Sequence, residues 1–438
     1  MQEVKVGVIG FGTVGRGTAQ VLYEQADRLQ RRGGGNVFIK TIADIGVESL
    51  PAHLEGITLT RNADDILVDP EIDIVVELIG GTTAARTFIL KAIENGKHVV
   101  TANKALLSQH GTEIFAAASE KKVEVGFEAS VGGGIPIIKA LKEGLVANRI
   151  DSIIGILNGT GNYILSRMSD HGFPFQEALQ EAQDKGYAEA DPTYDIEGID
   201  TAHKLVILMS MAYGMKMDLA DVTCEGISRL QPVDIEYARE MGYRLKLLAI
   251  SRNHGDHVEA RVHPTLVHKE HMMASINGTY NGVCFSGDMV EDVLLYGHGA
   301  GMMATGSAVA ADIIDISRNI MAGAVNRVPV LSYLPEYIEK RRITPMADLR
   351  CPYYIRFSTL DKTKVLSRIA GVLGDNGISI ESVLQKASDT EDAVPIVMCT
   401  YEASEDAVNK ALAEIDSLDI TTEEAVKIRI LVEDHEQA

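Results

Sequence analysis

Apolar blocks and amphipathic blocks follow one another along the first third of the chain, predicting strand and helix in turn. Val4–Gly10 (VKVGVIG) reads as a buried strand that passes through a glycine-rich turn into a helix running from Val14 towards Arg31. A polar loop, RRGGGN, leads to a second strand, Val37–Ala43, ending at Asp44. Ile72–Gly80 (IDIVVELIG) has few polar positions, as in a strand covered on both faces. Thr83–Asn95 is helical and stops at Gly96. His98–Ala102 is the next strand, Ala105–Lys121 a helix and Val123–Ala129 a further strand. Such alternation predicts an α/β fold with a parallel sheet between helical layers.

The middle of the chain is mixed. A glycine-rich turn, Glu128–Pro136 (EASVGGGIP), feeds a helix over Pro136–Val146, and strand Ile150–Leu157 runs into the polar turn Asn158–Asn162. Helices over Asn162–Asp170 and Phe175–Asp184 lead to Lys185–Lys204, KGYAEADPTYDIEGIDTAHK, and to an apolar helix stopped by Gly214. Further on, His257–Pro264 alternates like a strand and Gly278–Gly287 resembles a hairpin or strand pair. A second glycine-rich run from Tyr296 to Ala308 feeds a helix over Ser307–Ala324. Asn326–Met346 reads as a linker. The pattern then restarts as strand Tyr353–Thr359, helix Lys364–Asp375, strands Ile378–Lys386 and Val394–Thr400, helix Glu405–Ser417 and strand Val426–Leu431, a small ferredoxin-like βαββαβ unit. The divisions expected are 1–130 for nucleotide binding, 131–325 for substrate, catalysis and dimerisation (its last helix returning to the nucleotide domain), 326–350 for the linker and 351–433 for the final module.

Composition narrows the function. At ~150 residues per domain, 438 residues suggest roughly three domains. The formal charge of −21 argues against nucleic acid and anionic membranes as partners. Four scattered cysteines (Cys224, Cys284, Cys351 and Cys399) have no metal-type pairing and fit a reducing cytoplasm. The N-terminus enters a strand with no basic leader, and no apolar run approaches the ~20 residues that span a bilayer.

Candidate chemistry sits at the strand ends. Gly10-Phe11-Gly12-Thr13-Val14-Gly15 is a GxGxxG between a strand and a helix, the context in which it binds a dinucleotide: tight turn, close pyrophosphate approach, helix packing. Asp44 at the second strand end suits the adenosine ribose hydroxyls and leans towards NAD. Arg61 folding back would leave NADP open. Asn103 and Lys104 stand at another strand end just after Thr101, where Lys104 is either a ligand-facing lysine or a surface residue opening a helix. Glu128 with the exposed carbonyls of the following turn either ligates a hard cation or simply turns the chain. Five carboxylates (Glu189, Asp191, Asp195, Glu197 and Asp200) crowd the stretch before Lys204. Asp200 and Lys204 share one helix face at i and i+4, so a carboxylate can hold an ammonium at the mouth of a buried helix. Such a loop beside one oriented lysine can grip an amino group and move a proton; otherwise it is a capped helix with an ion pair. The glycine-rich run around Gly301 suits closing over a cofactor, and His298 within it reads as structural.

GFGTVG, TANK at Thr101–Lys104, EASVGGGIP, LNGTGNYIL at Leu157–Leu165, KGYAEADP with its following D, GID and K, and GHGAGMMATGSA together resemble homoserine dehydrogenase over Lys5 to Ala324. The resemblance implies a reversible nicotinamide-dependent interconversion of L-homoserine and L-aspartate 4-semialdehyde on the route to threonine and methionine. It implies Lys204 as catalytic lysine and Lys104 as a second lysine at the site, with Glu189 and Asp200 binding substrate and Asp195 a further acid. Gly186 and Tyr187 line the same region, the former with Glu189 towards the cofactor. Glu128 with the carbonyls of Val131, Gly133 and Ile135 matches a structural monovalent cation site (Na or K). Ala304 replaces a usual proline, Asp44 stands where many relatives carry arginine, and Thr160-Gly161 replaces a pair of threonines. Other readings are a related Rossmann dehydrogenase acting on an amino-acid aldehyde, or a catalytically silent amino-acid sensor. No kinase-like segment precedes Met1, so an aspartokinase fusion is not expected.

YYIRFSTLDKTKVLSRIAGVLGDNGISIESVLQK resembles an ACT domain, which implies L-threonine as an effector and a homodimer or homotetramer. Thr363-Lys364 stands where the family's turn reads Pro-Gly, so an effector-binding module and a purely dimerising one are both open. Asn376 and Gly377 of the family's ligand turn are present.

Overall fold

The computed structural model describes residues 2–385 and 394–432. Six parallel strands make the first sheet: β1 (Glu3–Ile9), β2 (Asn36–Ala43), β3 (Thr58–Thr60), β4 (Ile74–Glu77), β5 (His98–Thr101) and β6 (Val125–Gly126), in the order β3-β2-β1-β4-β5-β6. This is the Rossmann order. The chain reverses direction across the sheet between β1 and β4, and their carboxyl ends open a crevice where such sheets bind ligands. Helix α1 (Thr13–Glu24) leaves β1 and helix α2 (Lys104–Lys121) leaves β5.

The second sheet begins with β7 (Ile150–Ile156), β8 (Tyr243–Asn253), β9 (His257–His268), β10 (Tyr280–Gly287) and β11 (Glu291–His298) in the order β11-β10-β7-β8-β9. Helices α3 (Gly159–His171) and α4 (Ile199–Tyr213) pack on β8, and α4 is buried almost all round. The long helix α5 (Met302–Ala322) returns to the nucleotide-binding sheet and runs along α1. A Cβ on Gly17 would overlap the Met302 carbonyl, so this approach requires glycine.

The last module has β12 (Tyr353–Thr359), β13 (Ile380–Gln385), β14 (Val394–Thr400) and β15 (Val426–Ile430), with helices Val365–Asp375 and Glu405–Asp416, in the expected βαββαβ order. Lys386 and Glu433, the expected ends of its second strand and of the module, lie outside the described residues. Its sheet is not separate: among the described residues the ladder β15-β12-β14-β13 continues directly from β9, making one eleven-stranded sheet. The outer edge of β9 holds three parallel partners in turn, Arg342–Ile343 at His257 and Val258, Thr223–Cys224 at Arg261 and Val262, and β15 at Thr265 and Leu266.

Several elements differ from expectation. The first helix breaks at Gln25, and a second helix covers Ala26–Gly33. The strand expected over Val123–Ala129 shrinks to β6, because Gly126 lies against Asp312 and the chain then turns through Glu128–Ser130. The helix expected over Pro136–Val146 is a short α-turn, Ile137–Lys139, continued by the π-turn Ala140–Gly144. Helix α5 starts at Met302, directly after Gly301 at φ +114°. Strand β8 and helix Pro232–Glu240 were not predicted. Strand β8 carries Lys246 and Arg252, charges that look exposed in sequence yet are buried on backbone carbonyls, Lys246 on Ile276 and Arg252 on Val432.

Candidate active site

The glycine-rich turn has the shape a pyrophosphate needs. Gly10 has φ +101°, and a Cβ there would lie 2.7 Å from the Leu78 backbone. A Cβ on Gly15 would overlap the Gly10 carbonyl, whereas Gly12 faces open space and precedes Thr13 and Val14 at the start of α1. No side chain caps that helix start, so its N–H groups and positive dipole end face the crevice. Phe11 is buried beneath the turn.

Asp44 closes the far end of this turn. Its Oδ2 accepts the Phe11 N–H at 2.6 Å and its Oδ1 the Gly46 N–H at 2.8 Å. Burial alone would raise its pKa, but these N–H groups, that of Val47 and the Arg16 charge hold it below the usual value. Sequence showed no arginine beside Asp44; the structure puts Arg16 there, its guanidinium over the Phe11 ring. The Asp44 N–H also donates to the Thr60 carbonyl, bringing Arg61 to the same sheet end.

A cavity of about 580 Å³ runs from Val14 past Glu77 and Gly80 to Lys104, Glu189, Asp195 and Asp200. Thr101 does not line it. Its Oγ1 donates to Glu77 Oε2 at 2.7 Å, while Glu77 Oε1 accepts the Ile79 and Gly80 N–H groups. Gly186 and Tyr187 also lie off this lining; the Tyr187 ring sits edge-on against Tyr163, with centroids 5.0 Å apart. Gly301 is the open N-terminal residue of α5, and its turn packs on the other glycine-rich turn, where a Cβ on Gly133 would overlap the Gly299 carbonyl. His298 stacks on Tyr280 at 4.5 Å, a packing role.

Asp200, on the cavity wall, meets two ammonium groups, Lys104 from the same lining and Lys204, which does not line the cavity. Lys204 Nζ lies 2.7 Å from Asp200 Oδ2 and donates to the Leu157 carbonyl at 2.5 Å. Lys104 Nζ lies 2.8 Å from Asp200 Oδ1. Lys104 comes from the start of α2, where the Asn103 side chain accepts the Leu106 N–H and donates to the Gly81 carbonyl. The two lysines therefore come from different domains and converge on one acid. Burial would raise the Asp200 pKa, but the two ammonium groups hold it well below the carboxylate range. Burial lowers the Lys204 pKa despite Asp200, while around Lys104 burial also acts to lower the pKa but is outweighed by the Asp200 charge and hydrogen bond together with the Asp195 charge, so the pKa rises. The two lysines are thus shifted in opposite directions by one shared acid. Asp195 is pushed up, by burial first and by the Asp200 charge after it.

Sequence reading passed over the residues that hold these groups. Asn158 Nδ2 donates to Asp195 Oδ1 at 2.7 Å and to Asp200 Oδ2 at 2.9 Å, and its Oδ1 accepts the Gly161 N–H at the start of α3. His203 is fully buried between Ser108 (Nδ1 to Oγ, 2.5 Å) and the stacked Tyr194 ring, tying the lysine-bearing helices α2 and α4 together. The spacing of Ser108 four residues after Lys104 was the available signal.

The turn proposed for a cation has one carboxylate, that of Glu128, which accepts the Ile138 and Lys139 N–H groups at 2.8 and 2.9 Å. Asp312 accepts the Glu128 N–H at 2.8 Å. Burial, with the Glu128 charge beside it, pushes the Asp312 carboxyl up to about 8. Val131 and Ile135 are buried, Gly133 has φ +55°, and the Ile135 carbonyl accepts the Ile137 N–H at 2.8 Å. Among the described residues no group of three or more His, Cys, Asp or Glu side chains could hold a metal ion. No helix among them is long and apolar enough to cross a membrane.

Known families match in the order of the fold. The NAD-binding domain of homoserine dehydrogenase matches residues 10–128, the homoserine dehydrogenase domain residues 136–314 and the ACT domain residues 353–420. The homoserine dehydrogenase of Pseudomonas aeruginosa is 46% identical over 432 residues, covering 98% of this chain and 99% of that protein. The crystal structure of a homoserine dehydrogenase from Thiobacillus denitrificans matches with a TM-score of 0.93 at 47% identity, covering 98% of this chain and 99% of that one. A hyperthermophilic archaeal homoserine dehydrogenase in complex with NADPH matches with a TM-score of 0.61 at 25% identity, covering 72% of this chain and 97% of that one. With its Rossmann crevice, its two lysines on one buried acid and near-complete coverage by these relatives, the chain belongs to the homoserine dehydrogenase family and ends in an ACT domain.

Proposed function

We propose that this enzyme interconverts L-homoserine and L-aspartate 4-semialdehyde at the cavity between Gly10–Gly15 and Asp200, with Lys204 as its acid–base group. The observation that carries this is the pairing of Lys204 and Lys104 with one buried carboxylate on the wall of the cavity that Val14 of the glycine-rich turn also lines. A bound nicotinamide dinucleotide supplies or accepts the hydride. In the reducing direction charge develops on the aldehyde oxygen; the Lys204 ammonium stabilises it and gives the proton. In the oxidising direction the neutral Lys204 amine takes the alcohol proton, so oxidation is favoured at alkaline pH. Lys104 stays charged and orients the substrate. Glu189, Asp195 and Asp200 hold the substrate ammonium, and Thr101 acts through Glu77.

NAD is the preferred form on this reading, because Asp44 sets a negative charge where a 2′-phosphate would lie. Arg16 and Arg61 at the same sheet end support NADP as the second reading, in line with the archaeal relative's NADPH complex. A monovalent cation at Glu128, Val131, Gly133 and Ile135 would offset the excess charge of the buried Glu128 and Asp312. The ACT domain is read as a threonine sensor. A homodimer or tetramer is supported by the edge strand β13, paired on one side among the described residues, with Val383 44% exposed. Cytoplasmic residence is supported by four cysteines that form no disulfide among the described residues. The test is NADH and NADPH formation from L-homoserine at alkaline pH, with and without threonine. NAD-preferring activity suppressed by threonine supports the whole reading, NADP preference overturns the Asp44 argument alone, and no activity with either overturns the function.

A further inference from the structure

Residues 223–234 leave the edge of β9, cross the outside of the substrate loop and enter the helix Pro232–Glu240. Strands of the ACT domain hold this segment at both ends. Arg429 of β15 makes a two-pronged ion pair with Glu225, Nη1 to Oε2 at 2.8 Å and Nη2 to Oε1 at 2.7 Å. The same guanidinium grips Glu405 through Nε and Nη2, at 2.9 and 2.7 Å. At the other end Arg356 of β12 donates from Nε and Nη2 to the two oxygens of Asp234, at 2.6 and 3.1 Å, and the Tyr354 hydroxyl adds a bond at 3.0 Å. Arg429, Glu405, Arg356 and Asp234 are all buried, so these charge-assisted contacts hold a defined geometry.

The middle of the segment touches the substrate loop. Ile227 N–H donates to the Ile196 carbonyl at 2.8 Å, and Ser228 Oγ donates to Glu197 Oε1 at 2.7 Å. Gly226 lies so close that a Cβ would overlap the Glu197 carboxylate. Ile196 directly follows Asp195. Gly198, two residues before Asp200, has φ +77° and is pressed on β9, where a Cβ would lie 2.9 Å from Val262. The turn from Asp195 to Asp200 is thus held by Asn158 from within and by this segment from outside.

We propose that residues 225–228 form a positioning strap for the substrate-binding acids, and that Arg429 and Arg356 let the ACT domain set where the strap lies. Glu225 and Ser228 do not line the cavity; they act through Ile196 and Glu197. The inference rests on the reading that Asp195 and Asp200 hold the substrate. Movement of β12 or β15 then reaches the substrate end of the site and leaves the nucleotide crevice alone.

Steady-state kinetics on the full chain tests this. Glu225→Gln and Ser228→Ala each raise the KM for L-homoserine by about three- to tenfold, with the nucleotide KM unchanged and kcat within about twofold. Both side chains reach solvent, so neither change opens the core. Arg429→Lys keeps the charge but loses the fork, and raises the same KM. Combined with Glu225→Gln it is no worse than the worse single variant, because both cut one link. A wild-type homoserine KM in Glu225→Gln and Ser228→Ala, or a fall in kcat alone, overturns the strap. Asp200→Asn separates the two readings: if it leaves homoserine kinetics intact, the site reading itself fails. If it is impaired while the strap variants behave as wild type, only the strap fails.

Discussion

The Lys204 ammonium lies 2.7 Å from the Asp200 carboxylate, one helical turn earlier on α4, with both side chains buried. Taking two charges out of water is costly unless each finds a partner, so this pair is held for what it does. Burial draws the lysine towards losing its proton while the acid resists the loss.

Lys204→Ala removes both the proton donor and the local positive charge. Turnover with L-homoserine falls by roughly 10²–10⁴. Nucleotide affinity stays near wild type, because Lys204 lies beyond the crevice of the glycine-rich turn. An unchanged kcat in that variant excludes Lys204 as the acid–base group; the measurement is kcat alongside the dissociation constant of the dinucleotide.

Asp200→Asn shifts the pH at which the proton leaves. Burial and the Lys104 charge lower the Lys204 pKa and the Asp200 charge is the largest influence raising it, so removing that charge lowers the pKa further. Oxidation needs the neutral amine, and its rate rises with pH through this pKa. The midpoint of the kcat–pH profile for homoserine oxidation therefore moves to lower pH in the variant. A midpoint that stays or rises assigns the titration to another group.

Asp312 gives a stability test. Its folded pKa, about 8, stands above the ordinary value of 3.8. A carboxyl raised in this way stabilises the fold at low pH and loses that contribution as pH rises from about 4 to 8. Asp312→Asn still accepts the Glu128 N–H, so thermal melting of the variant flattens across that window and its Tm exceeds wild type at pH 8. Sodium or potassium in place of choline raises the wild-type Tm at pH 8 and does less for the variant. Parallel melting curves would remove Asp312 from the account.

Lys364 opens the first ACT helix at φ +70°, the left-handed conformation that glycine adopts without strain. The backbone thus takes a conformation suited to glycine although the side chain is a lysine. Lys364→Gly relieves roughly 1 kcal/mol of strain, visible as a higher urea midpoint for ACT unfolding. On the threonine-sensor reading, titration calorimetry with threonine gives equal or tighter binding in the variant than in the wild type. A lower urea midpoint means that the lysine makes a contact worth more than the strain.

The nucleotide-binding sheet was legible because covered parallel strands are continuous apolar runs and glycines mark the turns between strand and helix. Asp200 and Lys204 were legible because helix periodicity alone sets them one turn apart. Asn158 was not, since its partners Asp195 and Asp200 reach it only through the fold. Tyr187 and Thr101, motif neighbours of the acids and of Lys104, pack on Tyr163 and Glu77 off the cavity lining, contacts that only the fold reveals. The three-residue β3 is too short for a period to show. Helix Pro232–Glu240 was hidden because Asp234, which looks exposed in sequence, is buried against Arg356 and Tyr354 more than a hundred positions on.

The shared edge of β9 also orders the birth of the molecule. Strand β9 leaves the ribosome long before β15, and until residues 426–430 follow, the backbone at Thr265 and Leu266 lacks the neighbour that the finished sheet gives it. An open edge invites pairing with the wrong strand. A nascent chain halted before β15 therefore carries an open edge at Thr265 and Leu266, which completion of the last module covers.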